Sequence, residues 1–506
     1  MISKNSARTV IIVMAITLVG KVMGILRDRM QAVYFGTYSV EGIAFTQASL
    51  LPRVFLDIMF ASVLSASFIP VFNRYLETKG KEAALELAAS FIKIVLLVTV
   101  VVTALAMIFA GPIYSFWGTG ESELGVRLLR MMLPIIVITS LAFSFTGILQ
   151  SLGQFYIPAA MSIASNGVIL LYYFIFIDRF GVYGLVIAFL AGWSMQVLIQ
   201  VPFLVRTVRS AYSTGQRIRP VDGLGEIWRL SLPVMVASWL GPVNLLVNTR
   251  AVVGLEHGVV AINLAYTLYT VITGLLVLSL ANVLFPSLSK MAALEDWAGY
   301  ALSLRTSIRA LLFLLLPMTF GLMAVARPLV AFVFQGGRFG EASVDTTASA
   351  LFFFSVGIVG FGLQVVLSRA CFALQDGRGP LVTGVAAMVI NFVLSFALAP
   401  HFGVAGPALA SALAVSGAAL GLFVRLRRNM KVGILDSKMA VDGAKMLVLA
   451  IIMFAAVSAL PENLLLRASV GALVYMAGAL IFRLPEAKIG LGWIEGINSI
   501  RKRGLK

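Results

Sequence analysis

Fourteen apolar runs, each bounded by charged residues, glycine or proline, recur along the 506-residue chain. A helix crosses a bilayer core about 30 Å thick with about 20 apolar residues, since each residue adds about 1.5 Å. The runs therefore predict about fourteen transmembrane helices and an all-α, polytopic membrane protein. They lie at 9–28, 42–72, 84–110, 127–149, 157–177, 182–205, 230–250, 258–286, 307–332, 346–371, 380–399, 403–424, 441–460 and 464–482.

The composition agrees with a membrane protein and argues against several other classes. Only 12% of the residues are charged and 60% are hydrophobic, whereas soluble domains carry about 25% charged residues. One cysteine, Cys371, and two histidines argue against a disulfide framework or a Cys/His metal site. No phosphate-binding loop, Ser/His/Asp set or carboxylate pair within one span is recognisable, so we expect neither an enzyme nor a cofactor, and at most a coupling ion.

The net charge of +17 raises the question of a nucleic-acid partner, which the position of the cations answers. About two thirds of the 39 Lys and Arg residues fall in the two tails and in the connections after even-numbered runs. Cytoplasmic connections of membrane proteins carry such an excess. We therefore expect both termini in the cytoplasm and no nucleic-acid partner. The basic end of the chain, around 489–503, is either an interfacial helix or a frayed tail.

Segments of the two halves resemble one another. Phe145–Gln150 matches Ala370–Gln375 at an offset of 225, and Phe180–Gly184 matches Phe402–Gly406 at an offset of 222. Each copy contains six runs, and an even number keeps both copies in the same orientation. The repeat predicts two six-helix lobes related by a parallel pseudo-two-fold axis, an arrangement typical of transporters. The predicted divisions are an N-terminal lobe at 1–210, a C-terminal lobe at 211–430 and an accessory helix pair with a basic tail at 431–506.

Cations inside the first run are candidate binding residues. Lys21 lies about 16 Å into its span, where an ammonium group costs a few kcal/mol unless it faces water or a counter-ion. It either faces a cavity and binds an anion or pairs with Asp28, seven residues on and on the same helical face. Arg27 lies nearer the end of the span, so its guanidinium either binds the same anion or reaches the membrane surface.

Polar residues in two further runs extend this candidate set. Arg53 and Asp57 are four residues apart, so they either neutralise each other or leave Arg53 to face an anion. The amides of Asn244 and Asn248 form hydrogen bonds between helices or line the substrate path; Asn166 and Asn391 belong to the same class. The cationic character of the N-terminal half favours anionic cargo.

Several motifs resemble segments of the MurJ-type lipid II flippases, a family of the multidrug/oligosaccharidyl-lipid/polysaccharide exporter superfamily. They are Gly20–Asp28, Ser231–Pro233, Asn244–Asn248, Val283–Ser289, Gly336–Phe339 and Ser368–Pro380. The resemblance implies translocation of undecaprenyl-diphosphate-linked peptidoglycan precursor from the inner to the outer leaflet of a bacterial cell membrane, by alternating access. It also implies that cavity cations hold the diphosphate while the lipid tail stays in a lateral groove.

The family's two first-helix arginines fall on Lys21 and Arg27. Its second-helix arginine is expected near Leu56 or Asp57 and is missing, although Arg53 lies about one turn earlier. Its eighth-helix arginine, expected near Thr267, is also missing. Three alternatives stay open: a Wzx-like flippase of another polyprenyl-diphosphate glycan, an ion-coupled drug or cation antiporter that depends on Asp57, and a scaffold that recruits cell-wall synthesis enzymes.

Overall fold

Helices make up almost all of the described structure. The computed structural model describes residues 4–59, 67–118, 122–211, 223–229, 240–429 and 436–487. In the first half the helices are α1 (Lys4–Phe35), α2 (Val40–Met59), α3 (Ile69–Thr78), α4 (Gly80–Ile108), α5 (Ala110–Trp117), α6 (Ser122–Met132), α7 (Ile135–Ser151), α8 (Tyr156–Ile175), α9 (Ile177–Leu198), α10 (Val201–Ala211) and α11 (Leu240–Ala251). In the second half they are α12 (Gly258–Ala293), α13 (Trp297–Phe334), α14 (Glu341–Val356), α15 (Ile358–Ala373), α16 (Arg378–Phe402), α17 (Ala405–Asn429), α18 (Ser437–Ser458) and α19 (Leu464–Ile481).

Within these ranges, nine helical segments are long and apolar enough to cross a membrane, and the α14–α15 pair, bent by 41°, makes a tenth. These ten coincide with the runs predicted third to sixth and ninth to fourteenth. The other four runs coincide at least in part with α1, α2, α11 and α12. The all-α, multi-pass architecture is thus confirmed, and the count of fourteen stays a prediction.

The chain divides into two compact units. Unit 1 is Met1–Val260 with Gly336–Gly340, and unit 2 is Ala261–Gln335 with Glu341–Lys506. The core of unit 1 is rich in aromatic residues and buries Phe45, Phe72 and Phe91 almost completely. The predicted divisions near residues 210 and 430 remain predictions.

The short segment Gly336–Gly340 belongs to unit 1 because it packs on the C-terminal end of α1. The Arg338 amide donates to the Val33 carbonyl oxygen at 2.9 Å. Gly337 has a positive φ of +50°, and a side chain there would collide with the Val33 backbone. Nearby, Thr37 Oγ1 and His257 Nδ1 lie 2.5 Å apart. Two distant parts of the sequence therefore meet just beyond α1.

The hairpin formed by α18 and α19 packs against α13 in unit 2. Leu316, Met446 and Met453 are buried in the apolar cluster that joins them. At one end, Arg309 of α13 forms ion pairs with Asp442 and Glu486, at 2.9 and 3.0 Å. The hairpin is therefore held to α13 by both apolar packing and charge.

The structure shows the repeat in its helix ends. Gly181 and Gly403 share an unusual backbone conformation, with φ/ψ of 54/−144° and 57/−136°. Gly153 and Gln375, just past α7 and α15, both have positive φ, +77° and +59°. Both pairs are related by an offset of 222.

Backbone hydrogen bonds fix this register. The Gln154 amide donates to the Leu149 carbonyl at 2.8 Å, and the Asp376 amide donates to the Cys371 carbonyl at 2.9 Å. The 225-residue match of the Leu–Gln pairs was therefore wrong by three residues. The match of Phe180–Gly184 with Phe402–Gly406 had the right register.

Candidate functional site

The first helix carries three of the predicted site residues and packs against α8. An added Cβ at Gly20 would collide with the Ser162 side chain, so the small residue permits the close approach of the two helices. The Asn166 side-chain amide donates to the Gly20 carbonyl oxygen at 3.2 Å. Asn166 therefore joins two helices, as predicted.

Arg27 lies in a network inside unit 1. Its Nε and Nη2 donate to one oxygen of Asp28, at 3.0 and 2.7 Å, and its Nη1 donates to Asn166 Oδ1 at 3.1 Å. The guanidinium carbon also lies 5.5 Å from the centre of the Phe189 ring. The side chains of Arg27 and Asp28 are only 15% and 10% exposed. The charge of Arg27 is thus balanced by its neighbour.

Lys21 differs from Arg27 in its hydrogen-bond and ion-pair partners. Its side chain is half-buried, and no residue in the described part of the chain forms a hydrogen bond or ion pair with its ammonium group. The alternative in which Lys21 pairs with Asp28 is not observed, since Asp28 accepts from Arg27 instead. Among the described side chains of α1, Lys21 is therefore the cation that remains available to an anion.

The second helix holds Arg53, which is half-buried and not free of partners. Asp57 has a side chain outside the described residues, so its pairing with Arg53 stays a prediction. Helices α1 and α2 are in contact, and Gln31 Nε2 donates to Thr46 Oγ1 at 3.1 Å between them.

Asn244 and Asn248 lie on α11, which packs against α2 through a small apolar cluster that includes Leu50, Val54 and Leu246. Asn248 is 1% exposed, and both asparagines have interaction partners. A buried amide with partners is consistent with hydrogen bonding between helices. Their role in a substrate path stays a prediction.

The Ser368–Pro380 motif forms a turn between α15 and α16. The Asp376 carboxylate accepts from the Gly379 amide at 3.0 Å and from Arg425 Nε and Nη2 at 2.5 and 3.0 Å. The hydrogen bonds from Arg425 lower the pKa of Asp376. The motif thus connects this turn to the C-terminal part of α17, which is a structural role.

Sequence reasoning missed one buried contact of unit 1. The Tyr114 hydroxyl donates to Gln47 Oε1 at 2.8 Å. Gln47 is a single polar residue inside an apolar run, and nothing in the sequence around it indicates a partner 67 residues away. In the described ranges, no group of three or more His, Cys, Asp and Glu residues is arranged to hold a metal ion.

Unit 2 contains an apolar cavity of about 450 Å³ between α13, α18 and α19. Phe313, Pro317, Met453 and Gly471 are among the residues that line it, and Arg467 is the charged residue in the lining. The volume falls in the range of about 300–1,000 Å³ that is typical of ligand pockets. Its chemistry suits a hydrocarbon chain.

Comparison with known proteins identifies the family. The sequence profile of the family described as lipid II flippase MurJ matches residues 31–477. The chain belongs to this family. It is 27% identical to the probable lipid II flippase MurJ of Treponema pallidum (strain Nichols) over 429 residues, covering 83% of this chain and 81% of the relative. It is 26% identical to the lipid II flippase MurJ of Burkholderia cenocepacia over 437 residues, covering 84% of each.

Solved structures agree on the fold of this MurJ family member. A lipid II flippase MurJ in an inward closed conformation superimposes with a TM-score of 0.78 at 22% identity, covering 93% of this chain and 98% of the other. An inward-facing multidrug resistance MATE transporter of the MOP superfamily gives 0.69 at 16% identity, covering 83% and 98%. The second likeness shows that the chain shares its fold with a multidrug resistance transporter.

Proposed function

We propose that this protein is a lipid II flippase, which moves undecaprenyl-diphosphate-linked peptidoglycan precursor from the inner to the outer leaflet by alternating access. Family membership over residues 31–477 carries the proposal. The proposed location is a bacterial cell membrane with both termini in the cytoplasm, which the distribution of cations supports. The proposed activity is transport and not catalysis.

We propose Lys21 as the principal contact of the diphosphate. Its ammonium group is predicted to lie near the middle of the first span and has no partner among the described residues, and charge that deep in a membrane usually serves function. Lysine offers a point charge where an arginine would offer a planar pair of donors. Arg27 and Arg53 are proposed as secondary contacts, since Arg27 already balances Asp28 and Arg53 is also engaged.

The apolar cavity of unit 2 supports a place for the lipid tail. Its lining is almost wholly hydrocarbon, and burial of each additional methylene contributes about 0.8 kcal/mol. A polyprenyl chain has no polar group that this lining would leave without a partner. The coupling ion and any contact with cell-wall synthesis enzymes stay predictions.

The test is reconstitution of the full chain into liposomes with fluorescent lipid II, with the labelled headgroups that reach the opposite leaflet counted by a membrane-impermeant quencher. We expect Lys21→Ala to lower the rate at least about tenfold, the loss of one charged hydrogen bond, and Lys21→Arg to keep most of it. Lys93→Ala is the matched control, because Lys93 is an exposed lysine of α4.

Two results would contradict the proposal in different ways. Equal rates for Lys21→Ala and Lys93→Ala would remove Lys21 from the site but leave the flippase activity in place. Transport of another polyprenyl-diphosphate glycan, without transport of lipid II, would move the protein to the Wzx-like alternative.

A further inference from the structure

A second apolar groove lies on the surface of unit 1, between α8 and α9. Its volume is about 480 Å³, and its lining includes Leu171, Phe176, Phe180, Tyr183 and Ile187. The side chains of these five residues are between 41% and 58% exposed. A groove of this composition on a membrane-spanning helix pair faces hydrocarbon, so a lipid chain can enter it from the side.

The local sequence shapes the groove and removes polar atoms from its floor. The backbone turns at Gly181, with φ +54°, and the Tyr172 hydroxyl donates to the Gly181 carbonyl oxygen at 2.6 Å. A side chain at Gly184 would collide with the Tyr172 ring. The absence of a Cβ at this position therefore leaves room for the Tyr172 ring, whose hydroxyl is hydrogen-bonded.

Aromatic rings follow one another at the end of the groove where α8 gives way to α9. Ring centres are 6.4 Å apart between Tyr172 and Phe176 and 6.3 Å apart between Phe176 and Phe180. Tyrosine is enriched at the level of lipid headgroups, and residues 178–181 join the fifth and sixth predicted runs. We therefore expect this end of the groove to lie near the lipid phosphates.

Cationic groups occupy the same end. The Arg179 guanidinium lies 5.4 Å from the centre of the Phe180 ring, and no carboxylate in the described part of the chain pairs with it. Arg127 is paired with the exposed Glu123. Asp178 lines a separate cavity together with Arg338. Arg179 thus offers, at the mouth of the groove, a positive charge that is not engaged in an ion pair among the described residues.

We propose that this groove binds an anionic phospholipid, with one acyl chain along Ile187, Phe176 and Leu171 and the phosphate on Arg179. An anionic lipid fits better than a zwitterionic one, because no carboxylate in the described ranges forms an ion pair with Arg179. The choline or ethanolamine cation of a zwitterionic lipid would meet Arg179 with the same sign of charge. The site is independent of Lys21 and of the cavity in unit 2.

The experiment is native mass spectrometry of the delipidated full chain in detergent, titrated with phosphatidylglycerol or with phosphatidylcholine of the same acyl chains. We expect saturable binding of phosphatidylglycerol at one site that is several-fold stronger than binding of phosphatidylcholine. Arg179→Gln should weaken phosphatidylglycerol binding about fivefold, the effect of one charge near a phosphate, and leave phosphatidylcholine binding unchanged. Arg206→Gln is the matched control, since Arg206 is an exposed arginine of α10.

A second variant tests the acyl-chain part of the site. Ala191 lines the groove and is exposed, so Ala191→Trp fills the groove without entering the core. We expect this variant to weaken binding of both lipids. Equal binding of the two lipids by the unaltered chain, equal effects of Arg179→Gln and Arg206→Gln, or full binding by Ala191→Trp would overturn the proposal. Binding of undecaprenyl phosphate but not of phosphatidylglycerol would also overturn it.

Discussion

Arg27 and Asp28 are consecutive residues of α1, and the Arg27 guanidinium donates to the same carboxylate oxygen of Asp28 through both Nε and Nη2. The pair is enclosed by α8 and α9, with Asn166 and Phe189 as neighbours. Two opposite charges in a poorly hydrated environment stabilise each other, and the loss of one leaves the other charge uncompensated. Lys21, about two turns earlier, lacks such compensation among the described residues.

Asp28→Asn should destabilise the protein by about 3 kcal/mol, because it leaves the buried Arg27 without its counter-charge. The measurement is thermal or denaturant unfolding of the purified protein in detergent. Glu123→Gln breaks an ion pair of the same type between exposed side chains and should cause no measurable change. Equal behaviour of the two variants would show that the Arg27–Asp28 pair is effectively solvated.

Asp376 should make stability depend on pH. The hydrogen bonds from Arg425 lower the pKa of Asp376 below its ordinary value of 3.8, so the ionised form is favoured in the folded state. The resulting stabilisation is complete above the pKa of the unfolded chain and is lost as the pH falls through the lowered pKa of the folded state. Asp376→Asn should therefore unfold at a lower temperature than the unaltered chain at pH 7, and the difference should shrink below pH 3.8.

The control for this pH dependence is Glu77→Gln, which alters an exposed carboxylate of α3. Its unfolding temperature should follow that of the unaltered chain at every pH. A difference between Asp376→Asn and the unaltered chain that stays constant from pH 7 to pH 3 would show that the carboxylate acts through its shape and not through its charge.

Much of the fold could be predicted from run length alone. The ten runs that coincide with long apolar helices succeeded because a span must satisfy its backbone polar groups within itself. The partner of Asp28 could not be predicted in this way. Helical spacing placed Lys21 and Asp28 on one face, but the adjacent Arg27 is the cation that holds the carboxylate.

The register of the repeat shows a different limit. Leu149-Gln150 and Leu374-Gln375 share letters, whereas the structure equates Gly153 with Gln375 through their positive φ. One backbone conformation is thus occupied by different residue types in the two copies. The match of identical Leu–Gln letters therefore gave the wrong register, because the two copies share a backbone conformation there and not a residue type. The match through Gly181 and Gly403 gave the right register because their backbone conformation requires glycine.

Arg309 should be the residue that fixes the C-terminal hairpin to α13. Arg309→Met leaves Asp442 and Glu486, which are 9% and 14% exposed, without their shared cation and should cost about 3 kcal/mol. Arg305→Met, one turn earlier on α13, removes a more exposed pair with Asp436 and should cost less than about 1 kcal/mol. Unfolding together with limited proteolysis of the hairpin measures both, and equal costs would contradict the assignment.

Gly181 and Gly403 offer a test of the repeat that depends on backbone conformation alone. An added Cβ meets no atom within 4 Å at either position, so Gly181→Ala and Gly403→Ala create no clash. Both residues adopt a positive φ with a strongly negative ψ, a region that is almost closed to other residues. Each substitution should therefore cost about 1–3 kcal/mol of stability.

Gly417→Ala, inside α17 with equally open surroundings, should be neutral or stabilising because alanine favours the helix. The measurement is the free energy of unfolding of the three variants. Similar losses of stability at 181 and 403, with none at 417, would establish that the two turns are equivalent. A cost at only one of the two would show that the copies tolerate the change differently.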